Sequence, residues 1–187
     1  MTVACTQCIS IALIALAGSP WSYANETVRV FEAADSIEWE RHSFTGETRY
    51  QLSEVDGRPA VHALCTDGTA SGLFLHEDID LERTPIIEWE WRVERTFEGI
   101  DERTRAGDDY PARLYAVDQH SVLGWHTRAI NYVWASKEER GAQWPNAYQS
   151  RAVMIAMRSG VESDARWITE RRDLRQDFRN IHGRDLS

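Results

Sequence analysis

Along most of the chain from residue 28, apolar and polar positions alternate with period two, the pattern of strands with one buried and one wet face. Tyr50 and Leu52 alternate with polar neighbours, Asp56-Gly57 supplies a hairpin turn, and Val61 and Ala63 resume the alternation. Asp67-Gly68 marks the next turn, and Leu73-Phe74-Leu75 is a short apolar run. Ile87, Trp89, Trp91 and Val93 then alternate strictly with Glu88, Glu90, Arg92 and Glu94, the clearest strand in the chain. Residues 95–111 are polar with glycine breaks, which predicts a long loop. Further strands are expected over 112–117, 128–134, 153–158 and 167–172. One helix is expected, with Asp173 as N-cap, Leu174, Phe178 and Ile181 on one face, and Gly183 as the stop. Many short strands and a single helix predict an all-β domain over residues 25–187, a two-sheet, jelly-roll-like sandwich with one short C-terminal helix.

The N-terminus breaks this pattern. Residues 1–24 hold no Asp, Glu, Lys or Arg, and residues 9–18 read ISIALIALAG. That apolar run is too short to span a bilayer and has the length of an export leader. Ser22 and Ala24 place small residues at the −3 and −1 positions of a cleavage site after Ala24. The basic n-region of such leaders is missing, and a buried strand or helix is the competing reading of the same run. A leader at 1–24 implies a periplasmic or extracellular protein. Cys5 and Cys8 would leave with it, so Cys65 alone remains and no internal disulfide can form.

Charge narrows the partners. The 187 residues carry 30 acidic against 21 basic side chains, a net −9. A nucleic-acid partner, which needs a basic surface to neutralise phosphates, is not expected. Lys137 is the one lysine, set in the polar run SKEER, so lysine-dependent chemistry such as a P-loop or a Schiff base is not expected either. No apolar stretch is long enough for a membrane span.

Motif chemistry is sparse. There is no HExxH, GxGxxG, GxxxxGK[ST] or GxSxG. His42, His62, His76, His120, His126 and His182 show no zinc spacing, so no metal is expected. Asp78 and Asp80, and the loop acids Asp101, Glu102, Asp108 and Asp109, could hold Ca²⁺, but solvated acidic loops are the simpler reading. Polar groups on or beside strands remain. If the strands are neighbours, Asp109, Arg113, Asn131, Glu170 and Arg172 line one concave face, near Trp134 and the aromatic loop Trp144-Pro145-Asn146-Ala147-Tyr148. Planar polar groups beside aromatic rings suit a sugar, whose hydroxyls take paired hydrogen bonds and whose apolar face stacks on a ring. Two other readings stand beside this glycan- or polyol-binding module. One is an envelope polysaccharide hydrolase or lyase with Asp109 and Glu170 as acid and base, which needs carboxyl groups ~5–9.5 Å apart. The other is a structural factor whose polar cluster only ties the sheets together.

The runs ERTPIIEWEWRVE, AGDDYPARLYAV, RAINYVWAS, WPNAY, MIAMRSG and WITERRDLRQDFRNIHG, with the opening FEAADSIEWERHSFTGETRYQL, resemble the bacterial family catalogued as domain of unknown function 3047. The resemblance covers about residues 30–184. It implies an exported envelope protein with a sandwich like the galactose-binding jelly rolls. It carries the family's polar positions onto Asp108, Asp109, Arg113, Asn131, Trp134, Glu170 and Arg172, without assigning them roles. The family pattern also continues past the helix into further strands, so by this comparison the chain reads as truncated at its C-terminus.

Overall fold

The structure, a computed structural model, describes residues 8–12, 30–65, 68–119, 127–161 and 165–186. The expected leader cleavage site, Cys5, Asp67, His120 and His126 lie outside them. The strands are β1 (Cys8–Ala12), β2 (Glu40–Thr45), β3 (Arg49–Val55), β4 (Arg58–Leu64), β5 (Ala70–Phe74), β6 (Ile86–Val93), β7 (Ala112–Asp118), β8 (Arg128–Ala135), β9 (Gln143–Pro145), β10 (Ala152–Ser159) and β11 (Ile168–Asp173). Two helices accompany them, α1 (Ala33–Ser36) and α2 (Leu174–His182). The expected strands over 112–117, 128–134, 153–158 and 167–172 are all present, each within a residue of its expected bounds.

Two sheets form the sandwich. One runs in the order β11-β6-β1-β4-β3 and the other in the order β7-β8-β10-β9. A separate ribbon pairs β2 with β5. Asp56 and Gly57 both take positive φ, as the tight β3–β4 turn requires. One pairing departs from an all-antiparallel jelly roll: β10 lies parallel to β8. A parallel partner needs a long crossover, and the segment between them supplies it, with β9 folding back antiparallel on β10 along the way.

The core follows from the alternation. Trp89, Trp91 and Val93 of β6 and Ile168 of β11 meet Ala112, Ile130, Tyr132, Trp134, Ile155 and Met157 of the opposite sheet. Leu174 and Phe178 of α2 close one end. Trp89 and Trp91 meet edge to face at 5.4 Å, and Trp91 meets Trp134 at 5.7 Å. Such pairs add about 0.5–1.5 kcal/mol beyond the area they bury. α2 is closed at both ends as its sequence implies. Asp173 accepts from the Gln176 amide at 2.8 Å, and Gly183 takes the left-handed conformation with φ 62°.

The apolar run assigned to the leader supplies β1, which lies between β4 and β6 and antiparallel to both. The long polar segment over 95–111 is a loop without helix or strand. Gly107 belongs there by necessity, because a Cβ would sit 2.2 Å from the Asp101 carbonyl oxygen.

Candidate functional site

The four-stranded sheet has two faces of different chemistry. Ala112, Leu114 and Ala116 of β7 and Ile130, Tyr132 and Trp134 of β8 turn inward to the core. Arg113 and Tyr115 of β7 and Asn131 of β8 therefore share the outer face, where Tyr115 lies opposite Asn131 and Asn131 opposite Met154. On that face the Arg113 guanidinium lies over two rings, 5.3 Å from Tyr110 and 4.5 Å from Tyr115. Its Nε donates to Asn131 Oδ1 at 3.1 Å, and its Nη1 lies 3.6 Å from Asp108 Oδ2. Asn146 donates to the same Asp108 oxygen at 2.9 Å, which ties the turn after β9 to the loop that leads into β7. Among the described residues, two atoms of this network have no hydrogen-bond partner. Asp108 Oδ1 needs a donor and Asn131 Nδ2 needs an acceptor, and both are buried. A water or a hydroxyl can supply either role.

Asp109 sits beside this network. Burial pushes its carboxyl up to about 7, with Asp108 adding repulsion, while the Tyr110 backbone amide and Arg113 pull it down less strongly. Trp144 is buried beneath the loop against Tyr110, Met154 and Ala156. Tyr148 is largely exposed and donates to the Arg105 carbonyl at 2.8 Å.

The structure divides the seven candidate residues into three groups. Asp108, Asp109, Arg113 and Asn131 come together on the outer face of the four-stranded sheet. Trp134 points the other way, fully buried in the core, with its indole N–H donating to the Gly160 carbonyl at 2.7 Å. Glu170 and Arg172 belong to β11, in the opposite sheet, so the single concave face expected for Asp109, Arg113, Asn131, Glu170 and Arg172 does not form. Glu170 is buried and accepts from Arg158 of β10 at 2.6 Å, an ion pair across the sandwich. Arg172 pairs with Asp177 of α2, to which Tyr132 also donates at 2.6 Å. No contact among the described residues joins Asp109 to Glu170.

The acidic loops serve the backbone. Asp80 Oδ1 accepts from the amides of Glu82 and Arg83, and Asp101 Oδ1 from that of Arg103. Among the described residues, no group of three or more His, Cys, Asp or Glu side chains converges as a metal would require.

An open cleft of about 310 Å³ lies where the β2–β5 ribbon meets β7, lined by Glu40, His42, Phe44, Phe74, His76 and Tyr115. Glu40, His42 and Phe44 are alternate residues of β2, so period two puts them on one face. Phe74 ends β5 and His76 follows two residues on. Phe74 is the hub, 5.4 Å from His42, 6.3 Å from Phe44 and 6.1 Å from Tyr115. Its ring folds back over Gly72, where a Cβ would lie 2.7 Å from it. His76 Nε2 lies 3.4 Å from Glu40 Oε2. Phe44 is 55% exposed and Tyr115 36%, so ring surface faces solvent.

The sequence reading did not assemble this cleft. Leu73-Phe74-Leu75 reads only as a short apolar run, and the one signal for the rest is the alternation of Glu40, His42 and Phe44. The cleft and the outer-face network meet at Tyr115, which lines the first and stacks on Arg113 of the second.

The family profile described as Protein of unknown function (DUF3047) matches residues 37–187. No curated protein and no solved structure matches the chain.

Proposed function

The chain belongs to the DUF3047 family, and we propose that it is a binding module for a neutral glycan or similar polyol, with its site in the ribbon cleft. The observation that carries this reading is the pair of exposed rings, Phe44 and Tyr115, with the half-buried Phe74 between them, around an open space rimmed by Glu40 and His76. A sugar ring has an apolar C–H face that stacks on aromatic carbon, and a rim of hydroxyls that needs acceptors and donors. A carboxylate accepts from hydroxyls and an imidazole can do either. Among the described residues no Arg or Lys lines the cleft, and the rim favours a neutral sugar. In this reading the Asp108–Arg113–Asn131 network supports the cleft from behind, holding Tyr115 by its stack on Arg113. A leader at 1–24 would set the module in the periplasm or outside the cell.

The enzymatic alternative would need a second carboxyl group for Asp109, and Glu170 is committed to Arg158 across the sandwich. The cross-sandwich pair Glu170–Arg158 and the strand-to-helix pair Arg172–Asp177 favour a structural role for those four residues.

Titration of the protein with neutral oligosaccharides, followed by calorimetry and by ring-proton NMR, tests the proposal. Shifts are expected at Phe44, Phe74 and Tyr115. Phe44→Ala removes a largely exposed ring, so it should leave the melting temperature nearly unchanged and weaken binding about tenfold or more, ~1.4 kcal/mol. Binding that ignores Phe44→Ala, or no binding to any neutral saccharide at millimolar concentration, overturns it.

A further inference from the structure

β1 occupies an unusual place. Cys8–Ala12 is the middle strand of the five-stranded sheet, and β4 and β6 are joined only through it in the ladder order β6-β1-β4. Four residues pair on each side. Ile9 lies opposite Ala63 and Val93, and Ile11 opposite Val61 and Trp91. Those four neighbours are all buried on the core side of the sheet. Ser10 lies opposite His62 and Arg92, on the polar side. The run Cys-Ile-Ser-Ile-Ala thus sets its two isoleucines at the levels where both neighbouring strands turn apolar side chains inward.

The physical consequence concerns the same segment's reading as a leader. Strands in a ladder lie ~4.7–4.9 Å apart, so β4 and β6 are separated by roughly twice that and cannot bond to each other directly. Without β1, facing rows of backbone N–H and C=O groups stand unpaired in the middle of a sheet, beside a core of indole rings. Loss of residues 1–24 therefore leaves a slot one strand wide, shaped for an extended segment antiparallel to both of its walls.

We propose that the space between β4 and β6 is a strand-acceptor site, filled in the full-length chain by its own residues 8–12. Its ligand class is an extended peptide of the pattern apolar–small–apolar, bound by main-chain hydrogen bonds on both edges with alternate side chains turned to the core. A chain shortened after residue 24 retains the slot and takes such a segment in trans.

The experiment starts from the full-length protein. Hydrogen exchange on it should show the amides of residues 9–12 slowed about 100-fold or more relative to unstructured chain, like those of β6. A protease recognition sequence placed between Ala24 and Asn25 then allows a cut under native conditions. The released peptide should stay with the body of the protein through gel filtration. If it is stripped off, exchange at residues 61–64 and 90–93 should accelerate, and adding back the free peptide should restore protection. The same peptide carrying Ser10→Pro, which lacks a ladder donor, should fail to do so. Fast exchange at residues 9–12 in the uncut protein overturns the proposal. So does loss of the peptide with no change at residues 61–64 and 90–93, or a loss of protection that the wild-type peptide does not reverse.

Discussion

At Asp109 burial and charge compete for one proton. Desolvation raises its carboxyl to about 7 against an ordinary 3.8, and the opposing pull of the Tyr110 amide and Arg113 is smaller. The folded protein therefore holds a proton there that the unfolded chain releases. Stability from this group is fully present below about pH 4 and is lost as pH rises through about 7. Thermal melts between pH 4 and 8 should show the melting temperature of wild type falling relative to that of Asp109→Asn, whose amide does not titrate. Parallel curves for the two proteins would show that the group is not protonated in the fold. Other residues are bound by their partners in ways no spacing rule announces. Glu170 and Arg172 look in the sequence like a polar strand face available to a ligand, and each is engaged in an ion pair instead, with Arg158 and Asp177.

The loop over 95–111 has no regular structure, yet one of its side chains is among the most buried in the protein. Glu102 is 0% exposed. Its carboxylate accepts from the backbone amides of Ser136 at 2.7 Å, Lys137 at 3.1 Å and Glu138 at 3.0 Å, and so closes the end of β8. Arg103 next to it makes a two-point contact with Glu138, which holds that carboxyl below its usual range. The loop is in effect a strap riveted to β8. Glu102→Ala leaves three amides without their charged acceptor, and hydrogen bonds to charged groups are worth about 1.5–3 kcal/mol. At roughly 2–4 °C per kcal/mol for a chain of this size, even one such bond lost lowers the melting temperature by about 3–12 °C, and the fall should be at least that. A change under 2 °C would mean that water replaces the carboxylate without cost. The β2–β5 ribbon is the opposite kind of element. All of β2 is exposed, so the ribbon contributes a cleft wall and little core.

Seen whole, the molecule is a sandwich with an ion pair between its sheets, a polar network on the outer face of the four-stranded sheet and a cleft open at the ribbon. Its N-terminal apolar run supplies a central strand, and the same short apolar sequence would suit the proposed export leader. Intact-mass measurement on protein secreted from a bacterial host separates them, with Asn25 expected as the first residue if the leader is processed as proposed. Secretion with Met1 retained would remove the leader reading.

The sequence by itself determined the sandwich class, because period two and turn chemistry act over a few residues: β6, β7, β8, β10, β11 and α2 all lie where local pattern puts them. It also determined which face of β8 each residue takes, since Asn131 must oppose Ile130 and Tyr132 once the strand exists. Only the tertiary structure decided which strands are neighbours. That choice depends on contacts between residues far apart in the chain, such as Tyr115 with Phe74 or Glu170 with Arg158, and no local spacing encodes them. It split one expected polar face into an outer network, one ion pair across the sandwich and one between β11 and α2, and it brought β2, β5 and β7 together into a cleft. The parallel pairing of β8 with β10 and the placing of residues 8–12 between β4 and β6 were decided in the same way, by the need to cover an apolar face and to pair every buried backbone group.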